Sequence, residues 1–292
     1  MSLQRLLLNF MLYYRVRPTM VDGLDLEKLR EGDMPEPQTK RTWGCQYETG
    51  HLAGVNVIYV RPAKMNSDDV LVHLHGGLYV AGISEPHWWL ISRLCHETGR
   101  LGVMVDYRLA PEHPFPAAVD DAVAVLAELA NSHGAENLVV SGDSAGGGLA
   151  VASAMKLRDD GAAMPGKLVL LSPWLDITLD HPNILSLEKK DRVLAKSGAV
   201  EAGDLYANGM DPKSPYLSPV NGDLSGLPPM LLLIGTSEIL LPDCQVFQVK
   251  AVSQHASLDY REYPKLFHVW PLFFPILPEG EKAIAEVLRF IS

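Results

Sequence analysis

The run Leu138-Val139-Val140-Ser141-Gly142-Asp143-Ser144-Ala145-Gly146-Gly147-Gly148 constrains this chain more than any other stretch. A short β-branched segment ends in Gly-Asp-Ser-Ala-Gly, and an alanine-rich apolar segment of helical character follows. That is the strand–turn–helix setting of a Gly-x-Ser-x-Gly elbow, which holds a serine at the tip of a sharp, strained turn. Glycines stand two residues to either side of the serine, where so tight a turn has no room for side chains. A glycine-rich turn whose serine merely caps the next helix would look the same locally, so the remainder of the chain decides.

Around that stretch, short apolar runs alternate with helical ones. Strands are predicted near Thr42–Thr49, Val55–Arg61, Asp69–His75 and Gly102–Tyr107, then in the elbow run, Lys167–Ser172, Pro229–Gly235 and Leu258–Tyr263. Helices are predicted over residues 2–17, Leu24–Arg30, Pro86–Thr98 and Ala117–Asn131, after Ser144, and over Asp243–Gln254 and Pro278–Phe290. Residues 174–226 break the rhythm, being rich in Pro, Gly, Asp and Ser with one helical stretch near Ser197–Asn208. A connection this long is functional or an inserted cap. The alternation implies a mostly parallel sheet with helices on both faces, and ligands in such sheets bind at the carboxyl ends of the strands.

Composition excludes several function classes. The chain has 292 residues, 47% hydrophobic and 21% charged, enough to bury a large core. Its formal charge of −10, with no basic stripe, argues against nucleic acid or an anionic membrane as partner. Cys45, Cys95 and Cys244 are odd in number and far apart, which predicts neither a disulfide framework nor a zinc cluster and fits a reducing cytoplasm. No apolar run is long enough to span a membrane. The apolar opening, Leu3–Leu12, is broken by Asn9 and followed by no small-residue cleavage site, so it reads as an amphipathic helix rather than a leader.

A serine hydroxyl is a weak nucleophile until a base takes its proton. Elbow hydrolases order the chain as serine, acid, histidine. Downstream of Ser144 stand His181, in the irregular insertion, His255, at a helix end, and His268, in a loop beyond the last strand. Only His268 lies at a strand's carboxyl end. The acid that orients it belongs just after the strand ending at Gly235, where Glu238 and Asp243 both qualify. Glu238 is assigned because it is still in the turn, whereas Asp243 in the first turn of the next helix has an electrostatic reason to be there. Oxyanion donors are expected from the Ala145 N–H at the helix start and from Gly76 and Gly77, after the strand ending at His75. His73-x-His75 invites a metal reading, since alternate strand residues share a face, but no partner follows at ligand spacing. No phosphate-loop or dinucleotide fingerprint is present, and no cofactor is expected.

Three segments resemble the hormone-sensitive-lipase-like family of bacterial esterases in the α/β-hydrolase superfamily. They are His75-Gly76-Gly77-Leu78, Asp106-Tyr107-Arg108-Leu109-Ala110-Pro111-Glu112-His113-Pro114-Phe115-Pro116-Ala117, and Gly142-Asp143-Ser144-Ala145-Gly146-Gly147. The resemblance implies an α/β-hydrolase fold with a mostly parallel eight-stranded sheet and a helical cap. It implies residues 1–40 as the N-terminal part of that cap and 41–292 as the catalytic domain, with a cap insertion at about 174–226. It further implies a carboxylesterase acting on short- to medium-chain acyl esters as a possible homodimer. Two rivals stay open: a non-catalytic ligand-binding protein, and an amidase or lactonase using the same triad. Leu78 stands where the family has a third glycine, and Glu238 where it often has aspartate. Leu78, Trp88, Trp174, Leu205 and Tyr206 are candidate pocket walls; Asp106, Arg108 and Glu112 are expected to form a structural ion network, and Asp143 to anchor the turn.

Overall fold

The computed structural model describes residues 3–37, 41–66 and 68–292. It opens with three short helices, α1 (Leu3–Arg15), α2 (Pro18–Val21) and α3 (Leu26–Arg30). Pro18 begins α2, where a missing N–H costs nothing, and the Asp25 carboxylate caps α3 by accepting the Lys28 N–H. Residue 2 of the expected first helix, and residues 38–40 at the expected domain boundary, lie outside the described residues.

Strands β1 (Gln46–Leu52) and β2 (Val55–Arg61) form an antiparallel hairpin. Their link, Ala53-Gly54, has φ of 49° and 83°, the two left-handed residues that the tightest hairpin turn requires. The sequence places the first strand at Thr42–Thr49. The chain instead turns at Thr42–Cys45, with Trp43 and Gly44 at positive φ, and the strand runs on to Leu52.

Then follow β3 (Val70–Leu74), α4 (Glu85–Thr98), β4 (Leu101–Asp106), α5 (Ala117–His133), β5 (Leu138–Asp143), α6 (Ala145–Asp159) and β6 (Lys167–Leu171). The chain continues with α7 (Ile184–Glu188), α8 (Lys196–Ala207), β7 (Met230–Gly235), α9 (Leu241–Ser253), β8 (Leu258–Tyr263) and α10 (Pro278–Ile291). All eight strands join one sheet in the order β1-β2-β4-β3-β5-β6-β7-β8, with β3 to β8 parallel. This is the α/β-hydrolase fold expected. β3, β5 and β7 are buried at every residue, which is why they read as unbroken apolar runs. Helices α4 and α10 pack together on one face, and α5 and α6 together on the other. Because parallel strands return through helices, the loops after β3, β5, β7 and β8 all open at one edge.

The segments flanking that edge are tied to each other. The Ser197 hydroxyl of α8 is within 2.9 Å of the Met20 and Val21 carbonyls, and the Leu24 N–H donates to Glu201 at 2.7 Å. Arg30 holds Glu112 through two bonds of 2.7 and 2.8 Å. Asp106, Arg108 and Glu112 therefore form no network among themselves: Arg108 pairs with Asp121, Glu112 with Arg30, and Asp106 with Asn56. No helix among the described residues is long and apolar enough to cross a membrane.

The elbow depends on contact between bare backbones. A Cβ on Gly142 would lie 2.2 Å from the Gly146 carbonyl oxygen, and one on Gly146 would lie 1.9 Å from that of Leu74. Gly146→Ala must push α6 off β3, and should lower stability by about 3 kcal/mol, as overpacked cores do. A chemical-denaturation midpoint equal to that of the parent would contradict the close packing.

Candidate active site

Ser144 links β5 to α6 with φ 51° and ψ −122°, a left-handed strain that a non-glycine residue accepts only when its surroundings impose it. Here the Ser144 N–H donates to the Leu171 carbonyl at 2.9 Å, and its carbonyl accepts the Trp174 N–H at 2.8 Å. The hydroxyl oxygen lies 2.9 Å from His268 Nε2, and His268 Nδ1 lies 2.7 Å from Glu238 Oε2. A carboxylate only accepts, so Nδ1 carries the ring proton and Nε2 is left to accept from Ser144. Glu238 Oε1 accepts the Gly235 N–H at 2.6 Å and the Ser172 hydroxyl at 2.8 Å. Ser172 Oγ in turn accepts the Val269 N–H at 3.2 Å, bracing acid and histidine loops against each other. Sequence reasoning did not single out Ser172; its φ of 48° just past β6 is visible only in the fold.

All three side chains are buried. Burial alone would lower the His268 pKa, but the hydrogen bond and charge of Glu238, with Asp191 and Asp143 behind, raise it above its ordinary value. Asp243 sits apart in α9, bonded to neither histidine nor serine, and burial beside Asp176 and Asp180 pushes its carboxyl up to about 8. The fold joins Glu238, not Asp243, to the histidine.

The expected oxyanion set changes in one member. The Gly76 N–H donates to Asp143 Oδ1 at 3.0 Å and is therefore spent. Among the described residues, the amides of Gly77, Leu78 and Ala145 donate to no group of the chain. Asp143 also faces His73 Nε2 and His87 Nε2, each at 3.3 Å. Burial would raise the Asp143 pKa, but His87 and then His73 hold it well below the usual carboxylate range. His87 Nδ1 accepts the Ser84 N–H at 2.9 Å, so its proton is on Nε2, aimed at Asp143. His75 stacks on Tyr107 with ring centroids 4.3 Å apart, and burial pushes its pKa down to about 3. No group of three or more His, Cys, Asp or Glu among the described residues is placed to hold a metal ion.

A cavity of about 270 Å³ opens over Ser144 and His268. Its walls come from α1, α2 and the turn between them (Leu12, Val16, Met20), from the insertion (Val193, Leu194) and from the loop past His268 (Leu272, Phe273). Leu78 lines it as expected; Trp88, Trp174, Leu205 and Tyr206 do not. Trp88 is on the inner face of α4, its indole N–H donating to the Met34 carbonyl at 2.8 Å. Tyr206 stacks on Tyr79 at 3.8 Å, with Trp174 against the same ring, so these aromatics are core. Asp33, which the sequence did not flag, contributes a carboxylate to the wall. Asp191 lies near His268 and accepts the Val193, Leu194 and Ile239 amides at 2.9–3.0 Å, joining the insertion to the turn that carries Glu238.

A family model described as alpha/beta hydrolase fold matches residues 71–272. An acetyl-hydrolase of Streptomyces hygroscopicus is 38% identical over 80% of this chain and 78% of its own. A crystal structure of EstE5 soaked with p-nitrophenyl butyrate superposes with a TM-score of 0.92 at 33% identity, covering 100% of this chain and 98% of that one. An esterase from the bacterial hormone-sensitive lipase family does so with a TM-score of 0.90 at 32% identity, with the same coverage.

Folding takes the Asp243 carboxyl from 3.8 up to about 8, so the folded chain keeps a proton that the unfolded chain has released. The stability this contributes is fully present below about pH 4 and is lost as pH rises toward 8. Asp243→Asn removes the titration, so its denaturation midpoint should gain on the parent's across that window. A parent–variant difference that stays constant with pH would contradict the assignment.

Proposed function

Since this chain belongs to the alpha/beta hydrolase fold family, and is a hormone-sensitive-lipase-like carboxylic ester hydrolase, we propose that it cleaves short- to medium-chain acyl esters with a Ser144–His268–Glu238 triad. Ser144 Oγ attacks the ester carbonyl carbon while its proton passes to His268 Nε2. Glu238 keeps the ring in the receiving tautomer and balances the imidazolium that forms. Negative charge on the carbonyl oxygen is met by the free amides of Gly77, Leu78 and Ala145, the last at the positive end of α6. Collapse of the tetrahedral adduct expels the alcohol, which takes the proton from His268. Water, deprotonated by the same nitrogen, then releases the acid and restores Ser144.

The observation that carries this reading is the unbroken chain from Glu238 through His268 to Ser144, at 2.7 and 2.9 Å. The cavity lies just below the range of about 300–1,000 Å³ typical of small-molecule sites, which favours short arms on the ester. The Streptomyces relative is named an acetyl-hydrolase, which favours the same range. Helices α1 to α3 and residues 174–226 serve as the cap in this reading, since they supply much of the cavity wall. Three buried, unpaired cysteines support a cytoplasmic location.

Turnover of p-nitrophenyl acetate through octanoate tests the nucleophile. Ser144→Ala should lose about 10³-fold or more in kcat, and equal rates from the two proteins would refute Ser144. The reactive form of His268 is neutral, so kcat/KM should climb with pH through a midpoint above the ordinary histidine value of 6.5. Glu238→Gln should cost about 10²–10⁴ in kcat and move that midpoint down, because the charge holding it up is gone. A midpoint unmoved by the substitution would exclude Glu238 as the histidine's partner.

A further inference from the structure

The cavity over Ser144 is walled mainly by apolar side chains, but Asp33, in the segment after α3, is also among the residues that line it, beside the loop that follows β3. Its Oδ1 accepts the Gly82 N–H at 2.9 Å. Oδ2 accepts no hydrogen bond from any described residue, although Asp33 is half-buried and lines the cavity. The backbone makes room for the group: a Cβ on Gly82 would stand 3.2 Å from Oδ2 and 3.3 Å from Cγ.

Neither neighbouring basic side chain gives that oxygen a hydrogen bond. Arg30 directs its guanidinium at the Val80 carbonyl (2.7 Å), the Ala110 carbonyl (2.9 Å) and both oxygens of Glu112. His87 has its Nε2 proton toward Asp143, and its Nδ1 accepts from Ser84. Burial raises the Asp33 pKa, the mark of a carboxylate that its surroundings hydrate poorly. Oδ2 is open to the cavity with no donor from the described residues on it, so a ligand that brings a donor meets it directly, whereas an apolar arm would displace its water and leave it unpaired.

We propose that Asp33 is a specificity determinant, selecting esters whose arm beyond the oxyanion loop ends in a hydrogen-bond donor, above all a protonated amine. A plain alkyl arm of equal length buries the carboxylate without satisfying it. An ammonium donates to Oδ2 and neutralises its charge, and charge-assisted bonds of this kind are the stronger class. Discrimination by a buried polar partner is also steeper than discrimination by an extra methylene. The inference rests on the reading of Ser144 as nucleophile only for where the ester carbonyl sits.

The test compares isosteric arms. In the Ser144→Ala protein, which needs no turnover, calorimetry should find methyl 6-aminohexanoate bound about tenfold more tightly than methyl heptanoate. With active protein, the ratio of kcat/KM for the matching p-nitrophenyl esters, and for 6-aminohexyl against heptyl acetate, should favour the amine in one arm. Asp33→Asn retains the bond to Gly82 and should bring both the binding ratio and that kcat/KM ratio close to one. Gly82→Ala, which displaces Oδ2 by a few tenths of an ångström, should reduce them part of the way. Equal binding of the two methyl esters by Ser144→Ala, or ratios that Asp33→Asn leaves unchanged, would overturn the proposal while leaving esterase turnover intact. Loss of all turnover with the binding preference retained would overturn the hydrolytic reading and not this one.

Discussion

The buried carboxylate of Asp143 is the joint on which the site turns. It ends β5 beside Ser144, yet its bonds reach sideways, to the Gly76 amide after β3 and to His87 on α4. A charge removed from water is expensive unless hydrogen-bonded, so the loop after β3 has little freedom to leave it. Fixing Gly76 in this way fixes the residues next to it, and the amides of Gly77 and Leu78 stay unpaired beside Ser144. Preorganised donors of this kind matter because they need not reorganise when charge develops. The geometry at the elbow follows from two unlike constraints: absent side chains at Gly142 and Gly146, and one carboxylate too costly to leave unbonded.

The readable part of this site is the part built by local rules. Gly142 and Gly146 flank Ser144 in the sequence because backbones touch there, and the β-branched run before them is a strand buried on both faces. Glu238 is legible by its distance from the end of β7, since a residue still in the turn can reach across to the next loop. Non-local choices are not legible. That the Gly76 amide is spent on Asp143, 67 positions away, leaves no trace in either segment. Trp88, Trp174 and Tyr206 look like pocket aromatics in a sequence, but which way a helix or loop faces is set by its neighbours, and here they turn inward. The helices α2 and α7, of 4 and 5 residues, are too short to show a period.

Held against this sheet is a more lightly fastened wall. The segments supplying Met20, Asp33, Val193 and Leu194 are secured by α2 against α8, by the Arg30–Glu112 pair and by Asp191. Arg30 and Glu112 are partly exposed, and surface pairs contribute only about 0–1 kcal/mol. Asp191 is the exception, fully buried with three amide donors, one of them from Ile239 beside Glu238. The wall is therefore most firmly attached at the turn that carries Glu238, the residue bonded to His268.

That attachment also places two carboxylates, Glu238 and Asp191, behind one imidazole, with no lysine or arginine paired to either among the described residues. In the resting site Glu238 relies on one amide and one hydroxyl for compensation, which satisfy its oxygen but bring no positive charge. In the proposed reaction, the serine proton passes to Nε2 and the imidazolium supplies that charge at 2.7 Å from Glu238. The attraction is thus stronger in the transition state than in the ground state, and only such a difference lowers a barrier. A permanent cation beside Glu238 would make the resting acid more comfortable and the reaction slower. On this argument, the lack of a lysine or arginine partner at Glu238 among the described residues serves the proposed chemistry.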